Sequence, residues 1–341
     1  MSGIVLTSTL HDPEASLKVP LEKALSAIKE NYREWVVAVT PDTSQEIVKV
    51  LEENGVEVVV QGEAKLSADL VEDNHLKALE GGLKKTEKGD QIQYIDGDRI
   101  IFGAAYFPEE VEKVTDLIKI EYQGADYISL TRSPEDVTDH HNSLILTEQS
   151  LTRVYRQALG AEIDPASTAH VFSPAAGQFI LDHSAEREVM RYPHGKWSIL
   201  AKEGNFKIDS LETEKILSFE TPLQLREAST MDAFIDGSFT PDLAQELRTA
   251  YSEGKLPSAK VLREYFRHLA EADNQRAASE WQHRIALAED WIDFLAKEIP
   301  QLDLAEQEIK KLESVISSER QQLEKIRETN LSERAREVKM R

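Results

Sequence analysis

Two aspartates separated by one glycine, Asp96 and Asp98, are the residues whose types and spacing point most directly to chemistry. They follow a short apolar run, Gln91–Ile95, that is typical of a buried strand. Carboxylate oxygens are ligands that Mg²⁺ and Mn²⁺ prefer, and an intervening glycine lets both carboxylates approach one ion. Such an ion could bind and neutralise a diphosphate. A turn is the alternative interpretation, because Asp-Gly and Gly-Asp are common turn dipeptides.

The net charge of the chain limits which ligands and partners it can bind. Lys and Arg number 40 against 62 Asp and Glu, which gives a net charge of -22. A field of that sign repels nucleic acid and anionic membrane surfaces, so we expect no nucleic-acid partner. An anionic diphosphate ligand would need a cation. The sequence has no cysteine, which excludes disulfides, thiolate zinc sites and cysteine nucleophiles.

Short β-branched runs alternate with amphipathic segments in the first part of the chain. This pattern predicts an α/β fold with a mixed, mostly parallel sheet flanked by helices. Ligands of such sheets bind beyond the carboxyl ends of the strands, so Asp96 and Asp98 are expected to face a crevice. The predicted strands are Ile4–Thr9, Trp35–Thr40, Val56–Gln61, Gln91–Ile95 and Tyr127–Thr131, and the predicted helices are Leu17–Glu30, Ser44–Asn54, Glu72–Lys85 and Glu109–Tyr122.

Two further groups lie after the fifth predicted strand. Arg132 ends that strand, and its guanidinium could pair with a diphosphate through two hydrogen bonds. His140 lies in the aperiodic run Ser133–Ser143, where it could complete the metal site or grip a phosphate. The alternative for His140 is a solvated polar loop.

The elements predicted next are a helix Leu146–Leu159, a weak strand His170–Phe172, a turn Ser173–Gly177 with an apolar run Phe179–Leu181, a helix with Trp197–Ala201, and strands Phe206–Leu211 and Ile216–Phe219.

From about Pro222 the composition becomes helical, so we expect two domains, residues 1–221 and an all-helical region 222–341. Within 300–328 a heptad seam is broken only at Glu319. The seam indicates either a coiled coil that joins two chains as a homodimer or a long helix packed on its own domain. The seam residues are Leu302, Ala305, Ile309, Leu312, Ile316, Leu323 and Ile326.

No apolar run is long enough for a transmembrane segment and no signal peptide is evident, so a cytoplasmic location is expected.

Five segments of the first domain resemble the family 2-like glycosyltransferases, which have the Rossmann-like GT-A fold. They are IVLTSTLHD, VVAVTPDTS, VEVVVQGE, NHLKALEGGL and IQYIDGDR, and the resemblance extends over about Ile4 to Phe219. It implies a nucleoside diphosphate sugar donor and an Asp96–Asp98 site for Mg²⁺ or Mn²⁺. The residues that it places at the nucleoside or the diphosphate are Thr7, Thr9, Asp42, Asn74, Lys77 and Asp96.

Later segments are similar to a bacterial group of GT-A-like proteins: ADYISLTRS, TEQSLTRVYRQALG, SPAAGQFIL, KWSILAKEG and LETEKILSFET. The sequence departs from the family at one place. Inverting members present an acidic base just before the helix that corresponds to Trp197–Ala201, but Tyr192–Lys196 contains no carboxylate. The general base would then come from elsewhere, and the candidates are Asp182, Glu186, Glu188, Glu220 and His194.

These observations predict a metal-dependent glycosyltransferase that moves a sugar from a nucleoside diphosphate to a small or soluble acceptor. Two alternatives stay open. The chain could be a non-catalytic GT-A-like scaffold that assembles through its helical tail. It could also be a nucleotidyltransferase, although that class normally has a glycine-rich, basic first loop and Thr7–His11 is not one.

Overall fold

The computed structural model describes residues 3–60, 68–133, 142–188, 190, 193–217, 242, 245–246, 249 and 274–339. The chain divides into two compact units. The first comprises Met1–Asp136 with Ala161–Ala228, and the second comprises Val137–Gly160 with Ser229–Arg341.

A sheet of seven strands forms the centre of the first unit. In chain order they are β1 Ile4–Leu10, β2 Glu34–Val39, β3 Glu57–Val60, β4 Gln91–Ile95, β5 Tyr127–Arg132, β6 Ala169–Phe172 and β7 Ile208–Thr213. Their spatial order is β3-β2-β1-β4-β6-β5-β7. Strand β6 runs antiparallel to β4 and β5, and the other neighbouring pairs are parallel. The predicted mixed, mostly parallel sheet is confirmed.

The helices of the described ranges are α1 Lys18–Asn31, α2 Gln45–Glu53, α3 Ala68–Lys85, α4 Gly97–Tyr106, α5 Pro108–Ile120, α6 Asn142–Leu159, α7 Pro174–Ser184, α8 His194–Glu203, α9 Asn274–Glu298 and α10 Glu306–Lys339. Helices α1, α4 and α5 pack together on one face of the sheet, and α3, α7 and α8 pack together on the other. Within these ranges no helix has both the length and the apolar character needed to cross a bilayer.

The two faces of the sheet differ in what they bury. The face under α1, α4 and α5 is an apolar core that includes Ile4, Leu6, Val37, Ile95 and Ile128. On the opposite face, Thr7 lies beside Tyr94, which in turn lies beside His170 in the register of adjacent strands. All three are fully buried. Because buried polar groups are costly without partners, this face is where a functional site is expected.

Two local predictions were wrong, and helix α4 was not predicted. Helix α4 begins at Gly97 directly after β4, so Asp98 lies in its first turn and not in a connecting turn. The predicted turn and apolar run over 173–181 form helix α7, whose start is capped by the Ser173 side chain and has Pro174 at its first position. A strand was expected at Ile216–Phe219, but Ile216 and Leu217 lie in a turn. Residues 218–219 lie outside the described residues.

In the second unit, α6, α9 and α10 pack against one another. Five of the heptad positions are buried within the chain itself: Leu302, Leu312, Ile316, Leu323 and Ile326. Glu319, which breaks the heptad pattern, is paired with α6. Arg153 of α6 donates two hydrogen bonds to the Glu319 carboxylate, with N–O distances of 2.6 and 2.7 Å. Packing within the unit thus accounts for the seam, and the homodimer stays a prediction.

Candidate metal centre at the carboxyl edge of the sheet

Asp96 lies at the carboxyl end of β4. It is the N-cap residue of α4, but its side chain makes no capping hydrogen bond. Instead, the Tyr94 hydroxyl donates to Asp96 Oδ1 over 2.7 Å, and the same hydroxyl lies 2.9 Å from Thr9 Oγ1. The Asp96 side chain is 23% exposed. The carboxylate is therefore oriented by the sheet beneath it and is still open to solvent.

Gly97 has a steric reason to be glycine. A Cβ atom at this position would lie 2.6 Å from the Thr9 carbonyl oxygen, which is closer than real Cβ contacts. Any larger residue would collide with the backbone of β1. The glycine therefore lets α4 begin close to β1, directly after the Asp96 carboxylate.

Asp98 lies in the first turn of α4, where the positive end of the helix dipole stabilises its negative charge. Its Oδ1 accepts a hydrogen bond from the backbone N–H of Arg99 over 2.9 Å. Among the described residues, the cluster of metal-ligating side chains at this edge does not include Asp98. A shared ion between Asp96 and Asp98 stays a prediction.

That cluster consists of His75, Asp96 and His194, whose ligand atoms all lie within 4.8 Å of one another. His75 belongs to α3 and His194 is the first residue of α8. His75 Nε2 lies 3.7 Å from Asp96 Oδ1. Both histidines are buried, with 4% and 0% of their surface exposed. The three side chains can therefore converge on one ion.

Burial sets the protonation state of these histidines. It lowers the pKa of His75, although the Asp96 charge acts in the opposite direction. It lowers the pKa of His194 well below its usual value, and the charges of His75 and His170 add to that effect. The pKa of His170 falls to about 3, also through burial. All three are neutral near pH 7, which is the state in which imidazole binds a metal.

A cluster of rings holds the two candidate ligands in place. His75 stacks on Tyr94 with 5.4 Å between the ring centroids. The His194 ring lies edge-on to Trp197 at 5.2 Å, and Trp197 lies edge-on to Tyr94 at 5.1 Å. Such aromatic contacts restrict ring orientation. The imidazoles are thus positioned before any ligand arrives.

A buried ion pair joins the helices that carry the histidines. Lys196 of α8 pairs with Glu72 of α3, and both side chains are almost fully buried. The Lys196 ammonium also donates to the Glu188 carbonyl over 3.0 Å, while the Met190 N–H donates to Glu72 Oε2 over 2.7 Å. Since Glu72 and Lys196 lie within one helical turn of His75 and His194, the pair fixes the distance between the two imidazoles.

The residues predicted to hold the donor lie in different surroundings. Thr7 is fully buried beneath α3, whereas Asp42 is exposed in the turn after β2. Asn74 is buried and its amide donates to the Ala38 carbonyl over 3.3 Å. Lys77 forms a partly exposed ion pair with Asp73 at 2.8 Å. Asp42 and Lys77 are therefore accessible to a ligand.

Arg132 ends β5, as predicted, but its guanidinium is in a buried ion pair. Its Nε and one terminal nitrogen donate to the two Asp164 oxygens over 2.8 and 2.9 Å. Burial alone would raise the pKa of Asp164, but the Arg132 charge and hydrogen bonds outweigh it and hold that pKa below its usual value. A diphosphate at Arg132 would have to compete with this carboxylate.

Three of the candidate general bases lie in or after α7, before α8 begins. Asp182 is exposed on α7 and accepts a hydrogen bond from Gln178 over 2.7 Å. Glu186 and Glu188 are exposed after α7. The structure brings none of these three into the cluster of His75, Asp96 and His194. Glu220 and His140 lie outside the described residues.

His75 was not predicted from the sequence as a functional residue, and His194 was predicted only as a candidate base. The available signal was position: His75 lies in the helix that follows β3 and His194 in a segment that follows antiparallel β6 and its helix. Both segments begin at the carboxyl edge of the parallel strands. Periodicity alone does not reveal that the two rings meet there.

No family model and no curated protein sequence matches the chain. Solved structures of glucosyl-3-phosphoglycerate synthase from Mycobacterium tuberculosis are similar to it. One, in complex with Mn²⁺, UDP-glucose and phosphoglyceric acid, is 15% identical with a TM-score of 0.42, over 62% of this chain and 70% of that chain. Another is 16% identical with a TM-score of 0.42, over 68% and 78%. A third, in complex with Mg²⁺ and UDP, is 15% identical with a TM-score of 0.41, over 62% and 70%. At these values the similarity assigns no family, and the function proposed below rests on the side chains of the site.

Proposed function

We propose that this chain is a metal-dependent glycosyltransferase that moves a sugar from a nucleoside diphosphate donor to a small or soluble acceptor. One observation carries the proposal. The Asp96 carboxylate, held by Tyr94 at the carboxyl edge of β4, is open to solvent beside two buried neutral imidazoles. This edge is where α/β sheets bind their ligands.

The charge of the molecule supports the need for a cation. At a net charge of -22, the chain repels an anionic diphosphate unless positive charge is supplied locally. In the proposal Asp96 holds Mg²⁺ or Mn²⁺ at this edge, and the sequence predicts Asp98 and His140 as further ligands. When bound, the ion would neutralise the leaving diphosphate.

The remaining roles belong to side chains around this edge. Thr9 lies near the end of β1 and Asp42 follows β2, and both strands run parallel to β4. These two residues would contact the nucleoside. Asn74 and Lys77 of α3 would lie near the diphosphate, as would Arg132 at the end of β5. Thr7 would support the first loop from beneath α3. The general base is assigned to Asp182, Glu188 or Glu220.

Donor binding tests the proposal. Isothermal titration of the full chain with UDP and GDP should show binding in Mn²⁺ and at least about tenfold weaker binding after chelation, because the diphosphate charge is then uncompensated. Asp96→Asn should lose the metal-dependent part. Asp116→Asn removes an exposed carboxylate of α5 and serves as the matched control. Equal binding by wild type and Asp96→Asn would reject the proposed function.

A non-catalytic donor-binding protein is a second candidate, and one observation favours it. The described residues just before and at the start of α8, where inverting relatives would place their base, include His194 and Lys196, which are fully buried and offer no carboxylate. Turnover assays of the full chain with a panel of nucleotide sugars distinguish the two. Metal-dependent binding without hydrolysis or transfer would support the second candidate.

A further inference from the structure

The tautomer of His75 determines what its free nitrogen can do. His75 Nδ1 lies 2.6 Å from the Val71 carbonyl oxygen. Since a carbonyl can only accept, Nδ1 carries the proton and neutral His75 presents a lone pair at Nε2. This nitrogen is buried, and no described residue forms a hydrogen bond with it. His75 is thus arranged like a metal-ligating histidine, whose other ring nitrogen typically donates to a carbonyl or carboxylate.

The lone pair faces a carboxylate. His75 Nε2 is 3.7 Å from Asp96 Oδ1. With the His75 proton on Nδ1 and Asp96 ionised, neither of these two atoms carries a proton that it could donate to the other. Two electron-rich atoms at this distance repel each other unless a cation lies between them. Tyr94 already donates to Asp96 Oδ1, which fixes the carboxylate. Among the described residues, none donates to His75 Nε2.

His194 adds a second imidazole to the same place. Both of its ring nitrogens are buried, and neither has a hydrogen-bond partner in the part of the chain that the structure describes. Its ring centroid lies 5.0 Å from that of His75. Metal bonds of about 2.0–2.2 Å place neighbouring ligand atoms about 3–4 Å apart. The separations within this cluster, all below 4.8 Å, can reach that range through small side-chain rotations.

We propose that His75, Asp96 and His194 together hold a first-row transition-metal dication, such as Mn²⁺, Co²⁺ or Zn²⁺. Imidazole nitrogen suits these ions better than Mg²⁺, which prefers an all-oxygen, octahedral shell. Three protein ligands leave at least one position for water or a ligand oxygen, and the exposed side of Asp96 gives access to it. The inference deepens the proposed function, on which its catalytic meaning rests.

This ligand set changes the roles of two residues. His194 would give its lone pair to the metal and could not act as the general base. Asp98 would lie outside the first ligand set, so its substitution should spare the binding of the metal alone. Those two consequences separate this site from an ion held by Asp96 and Asp98.

Metal titration without nucleotide tests the site. The full chain, freed of metal, is titrated with Co²⁺, Mn²⁺, Zn²⁺ and Mg²⁺. We expect one transition-metal ion per chain and much weaker Mg²⁺ binding. His75→Gln, His194→Gln and Asp96→Asn should each weaken Co²⁺ binding by at least about 100-fold, above the 10–100-fold typical of outer-shell changes. Asp98→Asn should stay within about threefold of wild type.

Two controls keep the test decisive if a buried histidine variant unfolds. His170→Gln removes a buried imidazole of the same ring cluster that is not in the ligand set, so it should lose stability and keep metal affinity. The visible spectrum of Co²⁺-loaded wild type needs no variant. Strong absorption is expected for a low-coordinate site with nitrogen ligands, and the weak absorption of an all-oxygen octahedral site would overturn the proposal.

Other outcomes separate the metal site from the glycosyltransferase activity. Loss of Co²⁺ binding in Asp98→Asn with retention in both histidine variants would reject this ligand set, while leaving the glycosyltransferase intact. Metal binding by the three residues without any binding or turnover of nucleotide sugars would reject the glycosyltransferase and leave the metal site standing.

Discussion

At the scale of single residues, Tyr94 controls the geometry of the site. Its hydroxyl bridges Asp96 Oδ1 at 2.7 Å and Thr9 Oγ1 at 2.9 Å. Burial, and then the Asp96 charge, raise the pKa of Tyr94 well above its usual value, so the phenol keeps its proton. Because that proton goes to the carboxylate, the tyrosine oxygen accepts from Thr9. The resulting chain of hydrogen bonds fixes the carboxylate.

Tyr94→Phe should therefore weaken metal binding while preserving the ring stacking on His75. We expect Mn²⁺ affinity to fall about 10–100-fold, as for other outer-shell partners, and the free energy of unfolding to fall by about 1 kcal/mol. Tyr122→Phe is the matched control, because its hydroxyl donates to the Ser210 carbonyl over 3.0 Å, away from the metal centre. Titration calorimetry and urea denaturation measure both effects. Wild-type affinity in Tyr94→Phe would show that the hydroxyl does not orient the site.

The sequence allowed Asp96 to be predicted but not its partners. Asp96 directly follows a strand, so the rule for parallel sheets places it at the carboxyl edge. His75 has no such marker, because its ring reaches Asp96 only through the packing of α3 on the sheet. Arg132 was correctly placed at the end of β5, but its partner Asp164 comes from a later segment that no local pattern connects to it.

At the scale of elements, the position of His75 depends on how closely α3 approaches the sheet. A Cβ atom at Gly81 would lie 2.6 Å from Val36 Cγ1, and one at Gly82 would overlap Thr7 Cγ2. These two glycines face β-branched side chains of β2 and β1. Helix α3 can therefore lie close to the strands only because both positions lack a side chain.

Gly82→Ala should push α3 away from β1. We expect a loss of about 1–3 kcal/mol in the free energy of unfolding, since overpacking costs more than the helix propensity that alanine gains. Gly177→Ala in α7 is the control, because its Cβ would meet side chains at an ordinary 3.5 Å. This control should be neutral or stabilised by up to about 1 kcal/mol. Urea denaturation of both variants gives the comparison, and equal stability would contradict the close packing inferred for α3.

The strands and long helices could be predicted because their periodicities are strong, whereas two shorter helices could not. Helix α4 begins inside an Asp-Gly-Asp sequence, and those residues are equally typical of turns and of helix starts. Helix α7 begins with Ser173 and Pro174, which suggest a turn in isolation. In the structure they are a cap and a first-turn proline. Only the packing on the sheet decides between the two.

At the scale of the whole molecule, chain order and spatial grouping differ. Helix α6 directly follows the β5 region in the sequence, yet it packs with α9 and α10 in the second unit. The heptad pattern of α10 predicted a packed helix but could not identify its partners. The pairing of Glu319 with Arg153 shows why one seam position is acidic without disrupting the helix.

The glycosyltransferase and the metal site both require a metal ion that binds at the carboxyl edge of the sheet through Asp96. Anomalous diffraction from crystals of the full chain soaked with Mn²⁺ is the decisive test. We predict one strong peak within bonding distance of His75 Nε2, an Asp96 oxygen and a His194 ring nitrogen. A peak elsewhere in the chain with these three side chains unligated, or no peak at all at saturating Mn²⁺, would show that this edge of the sheet is not the metal site.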